Sequence, residues 1–591
     1  MKASRRATRK GPEAAARPPA APARLPAWLP FALAALAVAA VFWAYGPAAH
    51  GPFLFDDTAL RFALPGFEEP LRAWVAGQRP LLMVTYWLNS RISAEDPYSY
   101  HLLNVIFHCL ASGMILIIVR RLLATAGAEV SRRNLLAGFA AAIFLLHPIQ
   151  AESVAYLAGR SEAFSDMLLL AAFAVFLCRP SPAIAWMRVA ALVGLFGAAV
   201  LSKEQAVVLP ALLLLTDFWW NPGFTFEGIR RNWRLYGPLA VGAVYAVYRF
   251  RDLIFSTTAP SAGFGLKDLT WYQYFFTECR ALFVYPALFL FPANLTADWD
   301  FPISKSILDH GAVVGLLALL ALVGAAWHYR RRYPLAAYGF LTYLVLMAPT
   351  SSIVPIRDPI AERRIYLSML GLLLIVVDFT GRLKLERKAL AAACTVVALV
   401  LAAATHSRAA VWSSAVALWQ DTAQKSPNKV RVHFQLASSY CGPACGGAPL
   451  DVPRCDLAVR EYARTAELEK PDYNLLIDWA LAYDCAKQPV EALAKLRQAA
   501  ALEQTAHVYT QIAKVYAEQQ RWPEALDALD TAEKLDPNFA VTYFYRGQIH
   551  RANNQIPAAV QDYQRALALD PYLDPARQAL AEVQVQPRTA P

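Results

Sequence analysis

Long apolar runs, separated by short polar and basic segments, fill the chain from residue 27 to residue 405. A helix needs about 20 mainly apolar residues to cross a hydrocarbon core roughly 30 Å thick. The runs that approach this length are 27–47, 102–122, 134–149, 163–178, 185–201, 206–220, 235–250, 311–328, 334–350, 365–380 and 389–405. The pattern therefore predicts a polytopic bundle of about eleven membrane-spanning helices.

One further apolar run, WYQYFFTECRALFVYPALFLFP at 271–292, is long enough to span but is left out of this count. If it crossed, the Arg330–Arg332 cluster would leave the side on which the other basic loops lie, against the positive-inside tendency. We expect a re-entrant or interfacial helix, with Glu278 and Arg280 turned away from lipid. An odd number of spans then places the chain after residue 405 outside the cytoplasm.

From about residue 430 the chain becomes polar and repetitive. LDPN at 535–538 recurs as LDPY at 569–572, and Ala525 and Ala559 keep the same 34-residue offset. This period is typical of the tetratricopeptide helix-turn-helix unit. We predict about four stacked units and a capping helix at ARQALAEVQ, with a concave face that binds an extended peptide or another protein.

These patterns predict an all-α protein in three parts. They are a basic cytoplasmic tail (1–26), a membrane domain (27–406) and an extracytoplasmic tetratricopeptide solenoid (407–591). With 57% hydrophobic and 17% charged residues, the composition excludes an ordinary soluble protein. The net charge of +11 lies in short clusters between apolar runs, so no nucleic-acid partner is expected. Short loops and an Ala- and Pro-rich N-terminus favour a bacterial inner membrane with periplasmic repeats.

Half of the eight cysteines lie in the polar tail, at Cys441, Cys445, Cys455 and Cys485. An oxidising compartment outside the cytoplasm would allow these thiols to form two disulfides. A zinc site is the alternative, but the spacing between Cys441 and Cys445 has no matching second pair. Disulfides are therefore the preferred prediction.

Ionisable residues collect in four predicted outer loops, close to the ends of apolar runs. The first loop carries Asp56 and Asp57 in the sequence FLFDD. The other three loops carry His147, Glu152, Arg160 and Glu162, then Lys203 and Glu204, then Arg357, Asp358, Glu362, Arg363 and Arg364. Taken singly, these are snorkelling or salt-bridged residues, and Asp57 is a helix N-cap. Together they predict one assembled site, because charged groups at membrane ends are costly.

Transfer of a sugar from a lipid phosphate to a hydroxyl matches this set of residues. The candidate cations for the phosphate are Arg160, Lys203, Arg363 and Arg364. Asp56 or Asp57 would accept the hydroxyl proton as the anomeric carbon is attacked. A carboxylate beside another one, partly desolvated at a membrane surface, has a raised pKa that suits this role.

The same stretches resemble the TMTC proteins, which are transmembrane protein O-mannosyltransferases of the GT-C class. The resembling sequences are FLFDD, RPLLMVTYWLN, DPYSYHLLNVIFH, HPIQAESVAYLAGRSE, LSKEQ, FPANLTADWDF and AERRIYLSMLG, followed by the repeats. The resemblance implies a GT-C membrane fold, a polyprenyl-phosphate-linked mannose donor, a Ser or Thr acceptor and an essential acidic pair, here Asp56 and Asp57. It also implies substrate-binding roles for Glu152, Arg160, Lys203, Glu204, Glu362, Arg363 and Tyr366.

Two features depart from the family's pattern. Arg364 stands where the family usually has an apolar residue, which leaves open whether Arg363 or Arg364 faces the donor phosphate. The repeat tail is short, so the acceptor is not carried over. No metal ligands are predicted; DWD at 298–300 resembles a DxD metal motif, but a loop that closes over the donor is preferred to a divalent cation.

The leading hypothesis is an inverting glycosyltransferase that moves a sugar, mannose by resemblance, from a polyprenyl-phosphate carrier to Ser or Thr hydroxyls of an exported protein presented by the repeats. One alternative is transfer to a lipid or cell-envelope glycan, in which case deletion of 430–591 leaves catalysis on the small acceptor intact. Another is a non-catalytic membrane scaffold, which would be indifferent to the loop carboxylates. A transporter is disfavoured because no ionisable residues are evident at mid-membrane.

Overall fold

The computed structural model describes residues 26, 28–60, 70–94, 96–255, 262–442 and 451–585. Within these ranges the protein is built from helices, and the sole β feature is an isolated bridge between Ala262 and Ile356. The predicted all-α class is confirmed. The basic tail up to residue 25 lies outside the described residues, as does Cys445.

The first seventeen α-helices form the membrane part. They are α1 (Leu29–Tyr45), α2 (Leu71–Trp74), α3 (Pro80–Ser93), α4 (Tyr98–Thr125), α5 (Val130–Leu146), α6 (Ala151–Ala155), α7 (Arg160–Leu177), α8 (Trp186–Val200), α9 (Leu209–Trp220), α10 (Glu227–Arg231), α11 (Trp233–Arg249), α12 (Arg251–Phe255), α13 (Trp271–Leu290), α14 (Ala312–Tyr329), α15 (Pro334–Met347), α16 (Ile365–Gly381) and α17 (Arg387–Val411). Each of the eleven predicted spans coincides with one of them.

Helix length supports a membrane protein but not the predicted count of eleven. In the part of the chain that the structure describes, five helices are long and apolar enough to cross a membrane alone, or six if α5 and the bent segment after it form one span. Several of the other predicted spans are shorter, such as α9 with 12 residues and α15 with 14 residues. Helix α7 has 18 residues but carries Arg160, Glu162 and Asp166.

Helices α4, α5, α7, α15, α16 and α17 form the centre of the bundle. Helices α15 and α16 approach each other closely, and a Cβ atom on Gly339 would lie 2.5 Å from the Gly371 carbonyl oxygen. A Cβ atom on Gly371 would lie 2.4 Å from the Gly339 carbonyl oxygen. Small residues allow such close helix packing inside a membrane, where apolar burial provides little association energy.

The 271–292 run forms a single helix, α13, which packs against α14. Glu278 on this helix is buried, and the Arg280 guanidinium donates to the Pro302 carbonyl at 3.0 Å and to Ser304 Oγ at 2.9 Å. Both charged side chains therefore contact protein, as predicted. Helix α13 is not among the helices that are apolar enough to span alone.

Basic side chains from separate loops meet at one end of the bundle. Arg132 donates to the carbonyl oxygens of Gly381 and Leu383 at 3.0 and 3.1 Å. Arg382 donates to the Arg332 carbonyl at 2.7 Å. These contacts bring together three loops that the sequence assigned to the same side.

The polar tail forms one leading helix, four helix pairs and a last single helix. They are α18 (Ala415–Lys425), α19 (Val430–Cys441), α20 (Val452–Leu468), α21 (Tyr473–Cys485), α22 (Pro489–Leu502), α23 (Ala506–Glu518), α24 (Trp522–Leu535), α25 (Ala540–Ala552), α26 (Ile556–Leu569) and α27 (Asp574–Val585). This is the expected solenoid with a capping helix. The predicted boundary at 406 falls inside a helix, because α17 continues to Val411 before α18 begins.

Cysteines fasten the first helix pair to the second. Cys455 on α20 is disulfide-bonded to Cys485 at the end of α21. Cys441 is also disulfide-bonded. Cys455 and Cys485 are both buried, so their bond is part of the packing between adjacent repeats rather than a zinc site.

Candidate functional site

The two adjacent aspartates of the first loop face opposite environments. They lie in a short 3-10 helix, Phe55–Ala59, which follows α1. Asp57 is fully buried, and its Oδ2 accepts the Leu54 N–H at 3.0 Å while its Oδ1 accepts the Ala158 N–H at 2.7 Å. Asp57 thus fastens the first loop to the second, which is more than the N-cap role that its sequence position offers.

Asp56 is exposed and presents its carboxylate at the surface of the same turn. Its backbone N–H donates to the Tyr156 hydroxyl at 2.9 Å, which is a second tie to the next loop. Phe55 adopts a left-handed backbone conformation with φ of 50°. Such a conformation is strained for a bulky residue and persists only where its surroundings hold it, as these contacts do.

Burial sets the acidity of Asp57. It raises the pKa of this carboxyl to about 7, and the charge of Asp56 acts in the same direction. The two amide hydrogen bonds and Arg160 oppose the rise without cancelling it. Asp57 therefore retains its proton to a much higher pH than an exposed aspartate does.

The second, third and fourth loops meet in one charged cluster. The Arg363 guanidinium pairs with Glu152, whose Oε2 also accepts the Arg363 backbone N–H at 2.9 Å. Arg363 Nε lies 3.6 Å from Glu162 Oε1, and Lys203 is ion-paired with the same glutamate. Lys203 Nζ also lies 3.3 Å from Ser161 Oγ. Burial lowers the pKa of Lys203, and Glu162 opposes that shift.

Arg79 belongs to this cluster, although the sequence analysis assigned it no role. Its Nε and Nη2 donate to the two carboxylate oxygens of Glu204 at 3.0 and 2.6 Å, a bidentate geometry. The Arg79 and Glu204 side chains are 33% and 29% exposed, and that of Arg363 is 32% exposed. The signal available in the sequence was an arginine immediately before α3, in the stretch RPLLMVTYWLN that resembles the TMTC proteins.

Arg160 does not join the exposed cations. Its side chain is fully buried, and its guanidinium donates to Asn104 and Asn89 side-chain oxygens at 2.8 Å and to the Tyr100 carbonyl at 2.9 Å. The guanidinium carbon also lies 4.3 Å from the centre of the Tyr86 ring. These contacts use its donors inside the protein, so the geometry does not support the predicted contact with donor phosphate.

Of the two neighbouring arginines in the last loop, Arg363 faces the cluster and Arg364 does not. The Arg364 side chain is 7% exposed and lies 3.8 Å from Glu278. It donates to the carbonyl oxygens of Pro359, at 2.6 Å, and of Asp358. The predicted phosphate contact from Arg364 is therefore not supported either, because its donors are used to hold its own loop.

Glu362 and Tyr366 are also placed inside the protein. Glu362 is buried, accepts the Thr296 N–H and lies 3.7 Å from Arg408 on α17. The Tyr366 hydroxyl lies 2.9 Å from His108 Nδ1 within the bundle. Both residues connect elements of the fold and do not line the exposed cluster.

The DWD sequence contributes an ion pair. Asp298 is buried, and its carboxylate lies 2.7 Å from Arg431 Nε and 3.2 Å from Lys429 Nζ. Across the described ranges, no group of three or more His, Cys, Asp or Glu side chains is arranged to hold a metal ion. Asp298 thus connects this loop to α19 and to Lys429, the residue before that helix.

A largely apolar cavity of about 210 Å³ lies beside the first loop. Its walls include Phe42 and Ala48 near the end of α1, Leu102 and Val105 on α4, and Ala155, which precedes Tyr156. The link between the cavity and the turn that carries Asp56 is Ala155, whose neighbour Tyr156 accepts the Asp56 N–H.

The chain is similar to protein O-mannosyl-transferases over most of its length. TMTC3 of Mus musculus is 24% identical over 541 residues, which cover 83% of this chain and 57% of that protein. TMTC3 of Homo sapiens is 25% identical with the same coverage, and Tmtc3 of Drosophila melanogaster is 24% identical, covering 80% of this chain and 58% of its own length. The resemblance to the TMTC proteins is confirmed. This chain spans somewhat over half the length of these TMTC relatives.

The repeats have a match of their own. Residues 540–573 match the tetratricopeptide repeat family. This segment coincides with α25 and α26 and the turn that follows, which is one complete helix pair. The solenoid predicted from the 34-residue period is confirmed.

Proposed function

We propose that the chain is an inverting glycosyltransferase that transfers mannose from a polyprenyl-phosphate carrier to Ser or Thr hydroxyls of an exported protein. The observation that carries the proposal is the arrangement of the first loop, where buried Asp57 anchors the turn and leaves the Asp56 carboxylate exposed. The similarity to the TMTC protein O-mannosyl-transferases suggests the sugar and the protein acceptor.

Asp56 is the general base in this proposal. It accepts the proton of the acceptor hydroxyl while the hydroxyl oxygen bonds to the anomeric carbon and the bond from that carbon to the phosphate oxygen breaks. Asp57 acts as a positioning residue, since both of its oxygens accept backbone amides. The leaving group is the polyprenyl phosphate, which carries the electron pair of the broken bond.

Arg363 and Arg79 are the cations best placed to stabilise that leaving group, because they are the most exposed cations of the cluster. Glu152 and Glu204 pre-orient their guanidinium groups, which is how a site holds a charge in position before the reaction. Lys203, which is more deeply buried, supports the cluster through Glu162. The apolar cavity beside the first loop would accept the isoprenoid units nearest the phosphate.

The repeats would present the acceptor protein on the same end of the bundle as the charged cluster. Contacts between α19 and the loops at Asp298 and Asp358 support this arrangement. The basic loops at the opposite end would then face the cytoplasm, by the positive-inside rule. A bacterial inner membrane with periplasmic repeats remains the proposed location.

The test uses the purified full-length protein in detergent with polyprenyl-phosphate-mannose and a pooled periplasmic extract. The proposal predicts release of polyprenyl phosphate together with hexose-modified Ser or Thr residues, detected by mass spectrometry. Hexose on a lipid or glycan fraction instead would support the alternative acceptor. If no polyprenyl phosphate is released from polyprenyl-phosphate-mannose or from other lipid-linked hexoses, the proposed transferase activity is overturned and the scaffold alternative is favoured.

A further inference from the structure

The first repeat is joined to the membrane part by a four-residue ionic clamp. Lys429 lies just before α19, and Arg431 lies in its first turn. Both face Asp298 and Asp358, which belong to two different loops of the membrane part. The separations are 3.2 Å for Lys429 to each aspartate, 2.7 Å for Arg431 to Asp298 and 3.0 Å for Arg431 to Asp358. Each cation thus bridges both loops.

Hydrogen bonds to backbone carbonyl oxygens reinforce the clamp. Ser426 Oγ donates to the Asp298 carbonyl at 2.7 Å, Lys425 Nζ donates to the Leu295 carbonyl at 2.7 Å, and Lys429 Nζ donates to the Trp299 carbonyl at 3.0 Å. The loop at residues 295–299 is therefore bound by the end of α18 and by the segment that joins α18 to α19. Charge pairs that are backed by such contacts are more than incidental surface pairs, which contribute little.

Asp358 connects the clamp to the residues next to the charged cluster. Its carboxylate contacts Lys429 and Arg431, while its backbone carbonyl accepts from Arg364. Arg364 is followed by α16 and preceded directly by Arg363, which pairs with Glu152. Burial alone would raise the pKa of Asp358, but the positive charges of Arg431 and Lys429 outweigh burial. The pKa of Asp358 is therefore lower than that of an ordinary aspartate.

We propose that the first repeat is a working part of the transfer domain, in which Lys429 and Arg431 are positioning residues for Arg363. The loop before α16 contacts the clamp through Asp358, and it contacts Glu278 on α13 through Arg364. Arg363 reaches the charged cluster from this fixed loop. The role assigned to Arg363 rests on the proposed function, whereas the fixing of the loop does not. Deletion of 430–591 removes Arg431, so that deletion does not isolate acceptor binding.

The first readout is independent of catalysis. Hydrogen exchange followed by mass spectrometry is measured on the peptide 351–364 in full-length wild type, in the Lys429→Gln, Arg431→Gln double variant and in Asp358→Asn. The matched control is Arg464→Gln, because Arg464 is an exposed arginine on α20 that pairs only with nearby Glu467 in its described ion pairs. Exchange at least fivefold faster in the double variant and in Asp358→Asn, with the control unchanged, is the expected result.

The second readout uses the same variants with polyprenyl-phosphate-mannose and the periplasmic extract. Both the double variant and Asp358→Asn should lower kcat/KM for the donor at least tenfold, and adding Asp358→Asn to the double variant should cost little more, because both changes break one network. The single variant Arg431→Lys, which retains the charge but loses the bridging geometry, should have a kcat/KM for the donor between those of Arg431→Gln and wild type.

The two readouts separate the possible failures. If wild type releases no polyprenyl phosphate, the proposed function fails, and the exchange comparison still decides whether the clamp fixes the loop. Unchanged exchange in 351–364 for both the double variant and Asp358→Asn overturns the clamp. Faster exchange with donor kinetics equal to wild type overturns the positioning of Arg363. If the double variant does not fold, Arg431→Gln alone and Asp358→Asn carry the same comparison.

Discussion

Asp56 and Asp57 are adjacent in the chain, yet the Asp57 carboxylate is fully buried on two backbone amides while that of Asp56 is exposed. Neighbouring residues on a turn commonly point in different directions, and the amide hydrogen bonds from Leu54 and Ala158 hold Asp57 inward. The two aspartates therefore have different roles. Asp57 stabilises the loop, and Asp56 is accessible to a substrate.

Asp57 makes the stability of the protein depend on pH. Its folded pKa of about 7 lies above the ordinary value of 3.8, so the folded state binds the proton more tightly than the unfolded state does. Its stabilising contribution is complete below pH 3.8 and is lost as pH rises through about 7. Thermal unfolding from pH 4.5 to 7.5 should show a weaker pH dependence in Asp57→Asn than in wild type. Identical slopes would contradict the raised pKa.

Arg363 and Arg364 should differ in the kind of defect that their loss causes. Arg363→Gln removes a cation that is 32% exposed and should lower kcat/KM for the donor by about 10 to 100-fold, and the loss of its pairing with buried Glu152 should also lower the unfolding temperature. Arg364→Gln removes the cation beside buried Glu278 and the donors to the Pro359 and Asp358 carbonyls, so it should cost about 3 kcal/mol of stability with little effect on kcat/KM for the donor in the folded protein. The reverse pattern would show that the two arginines have been assigned the wrong way round.

Arg79 should contribute to donor binding through its fork with Glu204. Arg79→Gln is expected to raise KM for the donor about tenfold, since charge-assisted hydrogen bonds contribute about 1.5–3 kcal/mol. Arg79→Lys keeps the charge but loses the bidentate geometry, so its KM should lie between those of Arg79→Gln and wild type. Arg231→Gln is the control, because Arg231 pairs with Glu227 on α10 away from the cluster. A donor KM equal to wild type in Arg79→Gln would remove Arg79 from the site.

The disulfide between Cys455 and Cys485 should stabilise the junction of the first two repeats. It closes a segment with a sequence separation of 30 residues, and a disulfide of that span contributes about 3 kcal/mol. The double Ala variant should unfold at a lower temperature, and a reducing agent should lower the unfolding temperature of wild type but change the variant less. Equal unfolding temperatures for wild type and the variant under oxidising conditions would contradict a stabilising role.

The membrane helices and the repeats were predictable because long apolar runs and a 34-residue period are strong local signals. The number of membrane spans could not be predicted, because composition does not reveal where a helix ends, and α9 has only 12 residues. The meeting of the four charged loops was also predictable, since buried charge near a membrane needs partners.

The roles of individual arginines were not predictable from sequence. Arg160, Arg363 and Arg364 are chemically identical, and only packing shows that the Arg363 side chain is 32% exposed while those of Arg160 and Arg364 are less than a tenth exposed. The clamp between Arg431 and Asp298 joins residues 133 positions apart, which no local pattern in a single sequence can indicate. Arg79 was missed for the same reason, because Glu204 lies 125 positions away.

The most direct test of the central claim compares Asp56→Asn with wild type for release of polyprenyl phosphate from polyprenyl-phosphate-mannose in the presence of the periplasmic extract. Asp527→Asn, which changes an exposed aspartate on α24 of the repeats, is the matched control. Loss of a general base should slow turnover by about 100 to 10,000-fold in Asp56→Asn, with wild-type unfolding temperature and an unaffected control. Turnover in Asp56→Asn close to that of wild type would contradict the assignment of Asp56 as the base of a sugar transferase.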